Sequence, residues 1–89
     1  IPSFKIENSI LQSGIPLSQL FTQATNILSS AGEVRRAVQG NAININKNKI
    51  TDFNYTLEPK DLLYGKYVLV ENGKKNKYLL VFLNKTHGS

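Results

Sequence analysis

The sequence predicts an α+β domain, with two short helices packed against a twisted, mostly antiparallel sheet of about four to five strands. Three observations lead there. Residues 17–28 repeat apolar side chains at helical spacing, Ser30 to Gly40 has the punctuation of a second helix, and from residue 42 the apolar period falls to two. A chain of 89 residues has room for one domain, with a thin core. Within it, residues 1–15 read as a lead-in strand and residues 16–57 as the helix pair plus a first hairpin. Residues 58–83 read as a C-terminal hairpin and residues 84–89 as a frayed tail.

In the lead-in, Phe4 and Ile6 alternate with Lys5 and Glu7, and Gly14 closes the segment. Leu17, Leu20, Phe21, Ala24, Ile27 and Leu28 then form one stripe on a helix whose first turn accepts Pro16. Ser30-Ala31-Gly32-Glu33 is a capping-box pattern: the Ser30 hydroxyl accepts from the Glu33 N–H, and the Glu33 carboxylate reaches back to the Ser30 N–H. Val34, Ala37 and Val38 make the apolar face, and Gly40 stands where a left-handed residue ends a helix. Ile43 and Ile45 begin a strand, Asn46-Lys47-Asn48 a turn, and Lys49-Ile50 a return strand. Phe53, Tyr55 and Leu57 continue the alternation, and residues 58–65 suit a turn or a single helical turn. Tyr67–Val70 and Tyr78–Leu83 are strands joined through Asn72-Gly73.

Composition removes most enzymatic chemistry. There is no cysteine, so disulfides, thiolate nucleophiles and cysteine metal sites are excluded. The lone histidine, His87, lies in the polar tail. The six carboxylates form no pair suited to acid–base work, and no glycine-rich phosphate loop is present. Neither a membrane-spanning run nor a signal-peptide pattern is seen, so the expected compartment is the cytoplasm. The absence of methionine suggests a piece processed or excised from a longer chain.

Charge gives the positive clue. Eleven Lys and Arg against six Asp and Glu leave a net charge of +5, with pI near 9.6. Residues 1–33 carry Lys5, Glu7 and Glu33, whereas residues 34–89 hold ten basic and four acidic groups. One loaded half points to a polyanion. A membrane surface fits poorly, because the first helix lacks a basic polar face. Arg35 and Arg36 sit off the apolar face of the second helix, where planar guanidinium forks suit phosphate oxygens. Ser29, Ser30, Gln39, Asn41, Asn46, Lys47 and Lys49 extend this polar ridge, and Lys74, Lys75 and Lys77 form a second basic cluster on the later hairpin.

The run S-S-A-G-E-V-R-R-A-V-Q-G-N-A-I-N-I-N-K, residues 29–47, resembles the αL RNA-binding motif. Ile1-Pro2-Ser3-Phe4-Lys5-Ile6, Gly14-Ile15 and the closing Asn72-Gly73-Lys74-Lys75-Asn76-Lys77-Tyr78 resemble the C-terminal domain of bacterial tyrosyl-tRNA synthetases, over about residues 1–83. The run departs from the motif at Ala31, Val34, residues 40–42 and Lys47, while keeping the paired arginines, Glu33 and Asn46. The resemblance implies a tRNA-binding appendage that grips the long variable arm and anticodon stem of tyrosine tRNA. The catalytic signatures are absent, so the fragment itself is expected to catalyse nothing and to need no cofactor. The parent would be a homodimeric ligase using ATP and Mg, and no DNA or membrane partner is expected. The alternatives are an αL module of another RNA protein, such as a pseudouridine synthase or a ribosome-associated factor, and a basic protein-interaction module.

Overall fold

The structure, a computed structural model, describes residues 1–83; the expected tail at 84–89, with His87, lies outside the described residues. Its strands are β1 (Ser3–Glu7), β2 (Ile15–Pro16), β3 (Ile43–Ile45), β4 (Asn48–Lys49), β5 (Thr56–Leu57), β6 (Tyr67–Asn72) and β7 (Lys77–Leu83). Two helices, α1 (Leu17–Thr22) and α2 (Ala31–Gln39), precede β3. The main sheet has the order β1-β7-β6-β3-β4, and β2 pairs with β5 in a separate two-stranded ribbon. Every pairing is antiparallel except β1 on β7, which is parallel. The α+β reading therefore holds.

The pleat sorts the sheet residues into two faces. Ile6, Ile43, Ile45, Val68, Val70, Leu80 and Phe82 point inward and join Leu17, Leu20, Phe21, Val34 and Val38 of the helices in one core. Burial of these side chains, at roughly 25 cal/mol per Å² of apolar surface, is the main force ordering the domain. Lys5, Asn44, Lys49, Tyr67, Leu69, Glu71, Lys77, Leu79 and Val81 take the alternate positions on the opposite face. Gly14 makes the ribbon possible. Its φ is +90°, and a Cβ there would lie 2.7 Å from Thr56 Cγ2.

Four local expectations are corrected. The first helix stops at Thr22 instead of running to Leu28. The buried Thr25 hydroxyl donates to the Leu20 carbonyl at 2.8 Å, and Asn26 turns left-handed at φ 61°. Side-chain competition of this kind breaks a helix, yet Ile27 and Leu28 still fold back onto the core. The Glu33 carboxylate bonds to Ser29, not to the Ser30 N–H. Gly40 has φ −83°, and it is Asn41, at φ 58°, that takes the left-handed conformation. The strand foreseen across residues 53–57 shrinks to Thr56–Leu57. The Asp52 carboxylate accepts from the Asn54 N–H at 2.9 Å and the Asp52 carbonyl accepts from the Tyr55 N–H at 3.0 Å, which bends the chain into a turn.

Candidate nucleic-acid interface

The ridge is built on α2. Ser30 caps the helix, its hydroxyl accepting from the Glu33 N–H at 3.3 Å. The Ser29 N–H and hydroxyl both donate to Glu33 Oε1, at 2.9 and 2.8 Å. These bonds, the backbone one first, hold the Glu33 carboxyl below its ordinary value, and the nearby Arg36 charge adds to the effect. The two serines thus fasten the start of the helix, and their hydroxyls are already engaged.

With Val34 and Val38 turned inward, Arg35, Arg36 and Gln39 face solvent. Among the described residues the ion pairs are Lys60–Glu58 and Lys77–Glu71, so neither guanidinium is held in one, and Arg36 feels the nearby Glu33 carboxylate without contact. Arg35 lies with its guanidinium carbon 4.6 Å from the centroid of the Phe53 ring. This cation–π contact limits the side chain's rotamers without consuming its hydrogen-bond donors. Phe53 was not foreseen as part of the site; its apolar alternation with Tyr55 and Leu57 looked like strand patterning.

After α2 in the chain, the hairpin of β3 and β4 closes through Asn46 and Lys47, at φ 52° and 71°. A two-residue turn with both centres left-handed is the hairpin type whose twist matches the strands. Lys47 is exposed at its tip, and Lys49 is exposed on the return strand. Asn46 behaves differently from the sequence expectation of an RNA contact. Its Nδ2 donates to the Asp61 carbonyl at 2.7 Å, and its Oδ1 accepts from the Leu69 N–H at 3.0 Å. Its own N–H donates to the Leu69 carbonyl at 2.7 Å. Asn46 therefore ties the hairpin tip to β6 and to the turn before it.

A groove brings Asn41 and Lys49 together with Lys74 and Lys77 of the second basic cluster, apart from the arginines of α2. The Gly73 N–H donates to the Ala42 carbonyl at 2.8 Å, holding the β6–β7 tip against the turn after α2. A shallow groove of about 350 Å³ opens there, lined by Asn41, Ala42, Asn44, Lys49, Glu71, Gly73, Lys74 and Lys77. Pairing of Asn44 with Lys49 and with Glu71 sets this row. Lys77 leans towards Glu71 at 3.9 Å, which offsets part of the positive charge. Arg35, Arg36, Gln39, Lys47 and Lys75 lie outside the groove lining. Glu71 is an addition that only strand register reveals.

Comparison with known proteins matches residues 1–81 to the family described as the tyrosine–tRNA ligase SYY-like C-terminal domain. The chain belongs to this family. Curated members of the tyrosine–tRNA ligases are similar over nearly all of it. The ligase of Bacteroides thetaiotaomicron is 40% identical over 81 residues, covering 91% of this chain and 19% of that protein. That of Porphyromonas gingivalis is 37% identical with the same coverage. That of Flavobacterium psychrophilum is 35% identical over 90% of this chain and 18% of its own length. The chain thus spans less than a fifth of the length of these relatives. Among the described residues no helix is long and apolar enough to cross a membrane, and no cluster of potential metal ligands is present.

Proposed function

We propose that this domain binds tyrosine tRNA, gripping the backbone of its long variable arm and anticodon stem for a catalytic part carried elsewhere in a longer parent chain. The observation that carries the reading is the pair of exposed guanidinium groups on α2, in no ion pair among the described residues, with Arg35 braced on Phe53. Arg35 and Arg36 hold phosphates, Lys47 and Lys49 extend the contact along the neighbouring hairpin, and Lys74, Lys75 and Lys77 widen it. Gln39 and Asn41 supply hydrogen bonds to sugars or exposed bases. Recognition is by shape and phosphate, since a paired A-form helix hides its base edges in a deep, narrow groove.

On this reading the parent is a cytoplasmic tyrosine–tRNA ligase acting as a homodimer. ATP and Mg belong to its catalytic part and not to this domain. The test compares binding of tyrosine tRNA with binding of a tRNA that lacks the long variable arm. Preference for tyrosine tRNA, lost on Arg35→Ala plus Arg36→Ala in a folded variant, is the expected result. Equal affinity for the two RNAs, or retention unchanged by the double substitution, would contradict it.

A further inference from the structure

On the sheet face turned away from the core, Tyr64 is placed against ordinary local preference. Its φ is 56° and that of Gly65 is 65°, and the Lys66 N–H donates to the Leu63 carbonyl at 3.0 Å, closing a tight turn. Gly, Asn or Asp suits the first central position of such a turn, whereas a bulky side chain is disfavoured there. Burial does not repay the conformation, because Tyr64 is 88% exposed. Its ring lies 5.8 Å from that of Tyr67.

Strand register puts cations on the same face as Tyr67. Tyr67 pairs with Val81, and Val81 with Lys5, so Tyr67 and Lys5 share one row of the outer face. Lys66, between the two tyrosines in sequence, is exposed but takes the alternate parity to Tyr67. Four residues further along β6 lies the row Lys49, Asn44, Glu71 and Lys77. At ~3.3 Å per residue the two rows are about 13 Å apart, a span that a short stretch of single-stranded RNA can bridge. Aromatic faces beside a basic track are the elements from which single-strand binding surfaces are made.

We propose that Tyr64 and Tyr67 form a stacking ledge for an unpaired RNA base, with a flanking phosphate held by Lys5. The inference rests on the RNA-binding reading above and adds a second surface to it: α2 meets paired backbone, while the outer sheet face takes a nucleotide out of the stack. An RNA is favoured over an apolar protein partner because the ledge is narrow and shares its face with lysines.

The test uses the full chain with two probes, a blunt RNA duplex and the same duplex carrying an unpaired bulge. Tyr64→Asn should weaken binding of the bulged RNA about tenfold and leave the blunt duplex within about twofold. Tyr64→Phe, which keeps the ring, should bind both like the parent sequence. Asn suits the left-handed turn, so the melting temperature of Tyr64→Asn should stay level or rise. Unchanged affinity of Tyr64→Asn for the bulged RNA would overturn the ledge, as would an equal loss on both probes. A change confined to self-association in sedimentation would assign the face to protein contact and overturn it too. If the unsubstituted chain binds neither RNA, the underlying RNA reading fails; normal duplex binding with an indifferent Tyr64 removes the ledge alone.

Discussion

Replacing Asn46 removes two hydrogen bonds and changes the cost of a turn at the same time. Its carboxamide donates to the Asp61 carbonyl and accepts from the Leu69 N–H, both in partly buried surroundings. Alanine leaves the Leu69 donor and the Asp61 acceptor without those partners, at about 1–3 kcal/mol for a buried group that stays unsatisfied. It must also adopt the left-handed φ of 52°, which asparagine tolerates better by about 1 kcal/mol. Together these give a loss of about 3 kcal/mol for Asn46→Ala. In a domain of this size, that corresponds to a melting-temperature drop of about 12–24 °C. Asn46→Gly keeps the backbone freedom and loses only the bonds, so it should fall by about 2 kcal/mol. Thermal and urea unfolding followed by far-UV circular dichroism measures both, and filter binding measures RNA affinity of the folded fraction. A melting temperature for Asn46→Ala within about 2 °C of the parent sequence, with RNA affinity cut tenfold, would refute the structural role and make Asn46 a direct contact.

The other predictions are brief. Phe53→Leu removes the ring beneath Arg35 and should weaken RNA binding about two- to fivefold, matching a cation–π contact of about 0.5–1 kcal/mol, whereas Phe53→Tyr should keep the affinity. Gly14→Ala should destabilise the domain by about 2 kcal/mol in urea unfolding, because φ +90° and the approach of Thr56 leave little room for a Cβ. Burial, and then the Asp61 and Glu58 carboxylates, push the Tyr55 hydroxyl from 10.0 up to about 12. The folded state therefore holds this proton more tightly than the unfolded chain. The stability it contributes is complete below pH 10 and is lost as the pH rises towards about 12. Tyr55→Phe should flatten the fall of melting temperature across that window.

Much of the fold was legible because local and long-range preferences agree. The Ser30 cap, the inward Val34 and Val38, and the alternation of Ile43 with Ile45 each point the same way as the packing. Legibility ended where a side chain captured the backbone. Thr25 took the Leu20 carbonyl and ended α1 early, and Asp52 bent the segment expected to be a strand. Apolar spacing reported that Ile27 and Leu28 are packed, but not that they pack outside a helix. At the candidate site, the arginines were readable from type and helix face. The internal role of Asn46 was not, because its partners Asp61 and Leu69 lie 15 and 23 residues away. The same holds for the groove that unites Asn44, Lys49 and Lys77, which depends on strand register.

The most direct test of the RNA grip is the salt dependence of tyrosine tRNA binding, measured for the parent sequence and for Arg35→Ala plus Arg36→Ala. With about four phosphates neutralised by Arg35, Arg36, Lys47 and Lys49, log Kd should rise against log salt with a slope of about 3 to 4. The double variant should bind more weakly, with the slope reduced by about two. Identical affinity and slope in both proteins would contradict the assignment of α2 as the phosphate-binding helix.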